Sequence, residues 1–103
     1  MTYNKIKDLD EKYIKILQEK AQLLKNNLTM EEQFQLKKNI IITADTCSGS
    51  PRVINSRITV NDILLIILAG SQIINEFIEE RSNISNDQIN ACLLYAYDVN
   101  FDL

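Results

Sequence analysis

Apolar residues recur at helical steps over most of the chain. Leu9, Tyr13, Ile16, Leu17, Leu23 and Leu24, with the stem of Lys20, draw one stripe at three- and four-residue spacing, which predicts an amphipathic helix over about Asp8 to Asn26. Asp8 followed by Glu11 fits a capping box, in which each side chain takes up an otherwise unpaired backbone N–H. Asn26-Asn27 ends the run. Thr29 and Glu32 repeat the capping pattern ahead of a shorter helix carrying Met30, Phe34 and Leu36. This amphipathic pair is either a dimerisation or partner-binding arm, or a cover for the rest of the chain. So short a pair is marginal alone and must pack on something.

The period then changes. Ile40 to Thr43 is a β-branched run and predicts a short strand. A Ser- and Gly-bearing loop follows over Asp45 to Pro51. Arg52-Val53-Ile54 reads as a second extended piece, Asn55-Ser56 as a turn, since Asn tolerates left-handed angles, and Arg57 to Val60 as its continuation. Helical spacing returns over Val60 to Ala69, with Thr59 or Asn61 as the cap and Gly70 as the closing residue. Ile73, Ile74, Phe77 and Ile78 give a second helix reaching about Glu80, and Arg81-Ser82-Asn83 a linker. Ser85 with Gln88 opens a third, to about Val99. On it Ile89, Leu93 and Ala96 form the core seam beside Cys92. Asn86, Asp87, Asn90, Leu94, Tyr97 and Asp98 are left to flank the seam or face outward. Tyr95, Tyr97 and Phe101 read as core or interface rings, because stacking platforms for bases sit among basic residues.

The expected architecture is mainly α: two N-terminal helices over residues 1–39, then a short β-ribbon and a three-helix bundle over residues 40–103. Three short helices with a Gly-marked turn make the compact arrangement common in helix-turn-helix modules. Length agrees, since 103 residues fill one domain with an appendage, and 46% apolar content supports a core without a staple. Only two Gly and one Pro interrupt the chain, which disfavours a turn-rich sheet fold.

Residues 49–90 carry an unusual order of charged, Pro and turn residues: Gly49, Pro51, Arg52, Val53, Asn55, Ser56, Arg57, Ile58 and Val60, then Ile63 and Gly70. This pattern resembles the bacterial domain-of-unknown-function family numbered 433. Asn55 stands where that family has Gly, and Ser56 where it has Thr. The aromatic-proline pair typical before the family's last helix is missing around Arg81-Ser82. The resemblance implies a homeodomain-like three-helix fold and an antitoxin-like role beside a toxin-like, nuclease-fold partner, with DNA binding.

Charge changes the picture. Residues 1–39 hold eight lysines against six acids, net +2, whereas residues 40–103 hold three arginines against eight acids, net −5. Affinity for DNA rests largely on cations that neutralise phosphates. The last helix offers Asn86, Gln88 and Asn90 as base readers, yet no Lys or Arg occurs from Ser82 to Leu103. Arg52 and Arg57 are the only cations between Lys38 and Arg81. Either fork can grip a phosphate or carboxylate, or pair internally with Asp45 or Asp62. The site expected from the sequence is thus Arg52, Arg57, Asn86, Gln88 and Asn90.

Catalytic and cofactor chemistry find no footing. There is no His, no Gly-rich phosphate loop, and no Cys or carboxylate cluster at metal-ligand spacing. Cys47 and Cys92 lie too far apart to read as a disulfide framework. Met1 to Lys5 is mixed and polar, and Ile63 to Gly70 is too short to span a bilayer. These features give the expectation of a cytoplasmic, non-enzymatic protein with no cofactor, no metal and no membrane association. Its expected function is antitoxin-like or transcriptional regulation, through a basic toxin-like partner and double-stranded DNA. A homo-oligomer is expected, and the alternative function is a non-catalytic structural or homodimeric protein-binding module with no nucleic-acid role.

Overall fold

The computed structural model describes residues 11–80 and 83–101. Five helices and a two-stranded ribbon follow one another as α1 (Glu11–Asn26), α2 (Met30–Lys37), β1 (Ile40–Ile41), β2 (Arg52–Val53), α3 (Val60–Ala69), α4 (Ser71–Glu80) and α5 (Asn86–Asp98). The protein is therefore mainly helical with a short antiparallel sheet. The expected cap Asp8, the stripe residue Leu9 and the linker residues Arg81 and Ser82 lie outside the described residues.

Three of the helices begin as their capping signatures require. Thr29, Thr59 and Ser85 each accept the N3 backbone N–H, while Glu32, Asp62 and Gln88 reach back to the cap N–H. Each reciprocal cap is worth about 1 kcal/mol. Gly70 closes α3 at φ 115° and ψ 167°, an angle pair that only glycine adopts comfortably. The chain leaves α5 through Val99 and a left-handed Asn100 (φ 55°), and the Phe101 N–H donates to the Ala96 carbonyl at 2.7 Å. That six-to-one bond closes the helix and turns the Phe101 ring into the core, where it is 2% exposed.

The ribbon is shorter than the β-branched run implied. Ile40 pairs with Val53 and Ile41 with Arg52, and Ile42 and Thr43 run on unpaired by any described strand. Asn55 takes the left-handed turn at φ 64°. Ser56 locks that turn, its hydroxyl donating to the Val53 carbonyl at 2.8 Å and accepting the Ile58 N–H at 3.1 Å. Before the ribbon's second strand, Cys47, Ser48 and Gly49 all have positive φ, a single left-handed turn.

One core joins α1 to the rest, while α2 contributes no buried residue to it. Leu17 and Ala21 of α1 meet Val53, Val60, Ile63, Leu64 and Ile67, the seam of α5 (Ile89, Cys92, Leu93, Ala96), and Phe101. α1, α2 and α3 all pack against α5. α4 packs on α3, with Ile74, Phe77 and Ile78 partly buried and none of its residues fully so.

Two expected faces are corrected. On α1 the buried line is Leu17 and Ala21 with Ile14 and Leu24 half-buried, whereas Tyr13, Ile16, Lys20 and Leu23 are exposed. Both lines have helical spacing, and apolar spacing alone gives no reason to prefer the one containing Ala21, whose small side chain allows close approach. Leu94, expected to flank the seam or face outward, is 1% exposed. It shares a face with Ala91 and Asp98, and Asp98 meets lysines of α1 and α2, so the N-terminal helices cover the side that a three-helix bundle would leave open. Among the described residues no helix is long and apolar enough to cross a membrane.

Candidate functional site

The five expected site residues fall in two places. Arg52 and Arg57 share an open cleft of about 410 Å³ with Ile41, Thr46, Ile54, Asn55 and Ser56. Its lining comes from both strands of the ribbon and from the Asn55 turn that follows β2. Arg52 is half-buried there and its guanidinium is fixed from two sides: one terminal nitrogen donates to the Ser56 carbonyl at 3.0 Å, the other to the Thr43 hydroxyl at 3.1 Å. Its Nε–H is buried without a hydrogen-bond partner among the described residues.

The expected carboxylate partners are not used. Asp62 is occupied in capping Thr59, and Asp45 accepts from the Thr46 hydroxyl at 3.3 Å. Arg52 is thus internal in its hydrogen bonding but not in its charge, and no described carboxylate lies within ion-pair distance of it. Thr43 could have been found from the sequence. It stands diagonal to Arg52 across the ribbon, two places beyond Ile41, within reach of a long side chain. Arg57 is exposed, and its guanidinium makes no hydrogen bond or ion pair with a described residue; its backbone carbonyl accepts a weak bond from the Cys47 thiol at 3.4 Å.

The three α5 residues lie away from this cleft and do not form one exposed edge. Asn86 is exposed. Gln88 is half-buried, its carbonyl oxygen held by the Ser85 N–H at 3.0 Å and its amide nitrogen 3.5 Å from Asn39 Oδ1. Asn90 is half-buried too. The residue that sequence reasoning missed is Asn39, whose carbonyl accepts the Ile54 N–H at 2.7 Å while its side chain meets Gln88. It ties the ribbon to the first turn of α5, and nothing in the pattern around it announces that role.

Beside that first turn runs a second open groove, about 400 Å³, lined by Leu28, Glu31, Glu32, Gln35, Leu36, Asn39 and Asp87. Three carboxylates border it and no cation does. Large apolar side chains also face outward on the two N-terminal helices: Met30 is 86% exposed, Leu23 65% and Phe34 58%. Among the described residues no group of three or more Cys, Asp or Glu side chains is placed to hold a metal ion.

No curated protein and no solved structure matches the chain. The family pattern described as "protein of unknown function (DUF433)" matches residues 40–96. The match begins at β1, takes in the arginine-lined cleft and runs through most of α5, leaving α1 and α2 outside it. With more than half of its length inside that pattern, the chain belongs to the DUF433 family.

Proposed function

We propose that this protein is a non-catalytic cytoplasmic regulator of antitoxin-like type, and that it acts by engaging a basic, toxin-like protein partner rather than by reading operator DNA. The observation that carries the reading is the covering of α5. A helix that reads DNA enters the major groove with a free face and with cations to hold the phosphates. Here α1, α2 and α3 pack on α5, and its open end borders Glu31, Glu32 and Asp87. That field repels a duplex and favours a basic protein surface, since opposed potentials speed association and select partners. The outward Met30, Leu23 and Phe34 supply apolar contact area of the kind interfaces use. The homeodomain-like arrangement of α3, α4 and α5 enters through the family resemblance, and such an arrangement does not by itself fix a function.

The test is an affinity capture of the tagged full chain from lysate of its source cells, with both protein and DNA in the eluate identified. A near-stoichiometric basic protein is the expected result. Recovery of a discrete duplex fragment, held at low salt and released at moderate salt, would replace this reading with operator binding. A second reading, a homodimer, is favoured by Tyr13, Ile16 and Leu23, which share one exposed face of α1. Recovery of the chain alone, with twice the monomer mass by light scattering, would support it.

A further inference from the structure

Two cations line one cleft in the acidic half of this molecule, and neither is neutralised by a described residue. Residues 40–103 carry a net charge of −5, yet among the described residues the only ion pairs are those of Lys25 and Lys37 with Asp98. Arg52 and Arg57 therefore line the same open cleft with no described carboxylate in ion-pair distance of either, the Asp45 carboxylate beside it being bound to the Thr46 hydroxyl. An arginine keeps its charge at any physiological pH. Holding a half-buried guanidinium in the same cleft as a second arginine, without an ion-paired counter-charge, costs stability that a bound anion would offset.

The fixed geometry of Arg52 adds to this. Its bonds to Ser56 and Thr43 use one hydrogen on each terminal nitrogen, which leaves a second on each and immobilises the group beforehand. Arg57, exposed on the rim, has its whole fork available. Thr46, Asn55 and Ser56 line the cleft with the apolar Ile41 and Ile54; the Ser56 hydroxyl is taken up by the Val53 carbonyl and the Thr46 hydroxyl by Asp45, so the arginines are its free donors.

We propose that this cleft is a binding site for a single phosphate-class dianion, either free inorganic phosphate or a phosphomonoester, with Arg57 as the capturing fork and Arg52 as a fixed charge. Two guanidinium groups match a dianion better than the single charge of a carboxylate. The net charge of −5 over residues 40–103 disfavours a polyanion, so an isolated phosphate group fits where a nucleic-acid backbone does not. The cleft is open, which lets a phosphate attached to a larger molecule enter. This site goes beyond the protein-partner reading and does not depend on it.

The test is a titration of the full chain, followed by amide NMR shifts, with inorganic phosphate, glycerol phosphate, acetate and a duplex oligonucleotide as separate probes. Saturable shifts at Thr46 and Asn55 to Arg57 are expected with inorganic phosphate, and acetate should bind more weakly. Arg57→Gln, at an exposed position, keeps the fold by circular dichroism and should weaken phosphate binding at least about tenfold, the loss expected for one charge-assisted hydrogen bond. Glu79→Gln on α4 should bind as the parent does. Saturation by glycerol phosphate as well assigns the site to monoesters, and saturation by inorganic phosphate alone assigns it to the free ion. The proposal is overturned if phosphate gives no saturable shift, if Arg57→Gln binds unchanged, or if acetate or the duplex binds this cleft as tightly as phosphate.

Discussion

Asp98, in the last turn of α5, accepts a hydrogen bond from Lys37, in the last turn of α2, across 61 residues of sequence. A carboxylate at a helix C-terminus meets an unfavourable dipole, and here two cations offset it. Lys25 of α1 lies 3.4 Å from the other carboxylate oxygen and 4.9 Å from the centre of the Tyr97 ring, whose hydroxyl donates to Gln22 at 2.8 Å. Both N-terminal helices are thus fastened to the same end of α5.

That fastening depends on pH. Partial burial pushes the Asp98 carboxyl pKa up, but the bond and charge of Lys37, followed by those of Lys25, outweigh it and hold the pKa below the usual range. A depressed folded value means the stabilisation is full above the ordinary carboxyl pKa of about 3.9 and is lost as pH falls through the folded value. Asp98→Asn should therefore cost about 1 kcal/mol or less at pH 7, because the pair is a third exposed. The gap from the parent in urea denaturation should narrow below about pH 4; a gap that persists in acid would assign the loss to packing.

The two lines on α1 can be told apart by truncation. Leu17→Ala removes a fully buried side chain from the shared core and should cost about 2–5 kcal/mol. Leu23→Ala, at 65% exposure, should change stability by no more than about 0.5 kcal/mol. Equal losses in chemical denaturation would contradict the burial of the Leu17 line.

A side chain at Gly70 would have room but not the backbone angles to carry it. A Cβ added there meets no atom within 4 Å, while φ stands at 115°. Gly70→Ala should then destabilise through backbone strain alone, by about 1–3 kcal/mol. Thermal unfolding of the variant is the measurement, and an unchanged midpoint would show that the turn between α3 and α4 relaxes at no cost.

The cysteines should react very differently. Burial pushes the Cys92 thiol up to about 12, whereas Cys47 is half-exposed in the left-handed turn before β2. Because the thiolate is the nucleophile, a thiol reagent at pH 8 should modify one equivalent in the native protein and the second only on unfolding. Cys47→Ser should leave the native protein unreactive. Because burial penalises only the thiolate, Cys92 leaves stability independent of pH below the unfolded value near 9 and lowers it as pH rises from there towards 12.

Local chemistry made most elements legible. The Thr29, Thr59 and Ser85 caps, Gly70 and the Asn55 turn each state their own geometry through short-range bonds, and the structure has them where the residues put them. What spacing does not encode is which of two equivalent apolar lines meets the core, so α1 turned by about one position and Leu94 went inside. The placing of the candidate residues was legible in part. The cleft arginines follow from the order of residues around a turn, but the burial of α5 depends on helices far away in sequence.

Ala91 to Leu94 are four successive buried positions, so that stretch of α5 has no wet side. Its amide protons can exchange with solvent only when α1, α2 and α3 let go together, at a free energy close to that of complete unfolding. α4, with no fully buried residue, should exchange first and by local opening. A ligand that required the middle of α5 would have to dismantle the protein to reach it, whereas one that met the ribbon, α4 or the first turn of α5 would leave the core shut.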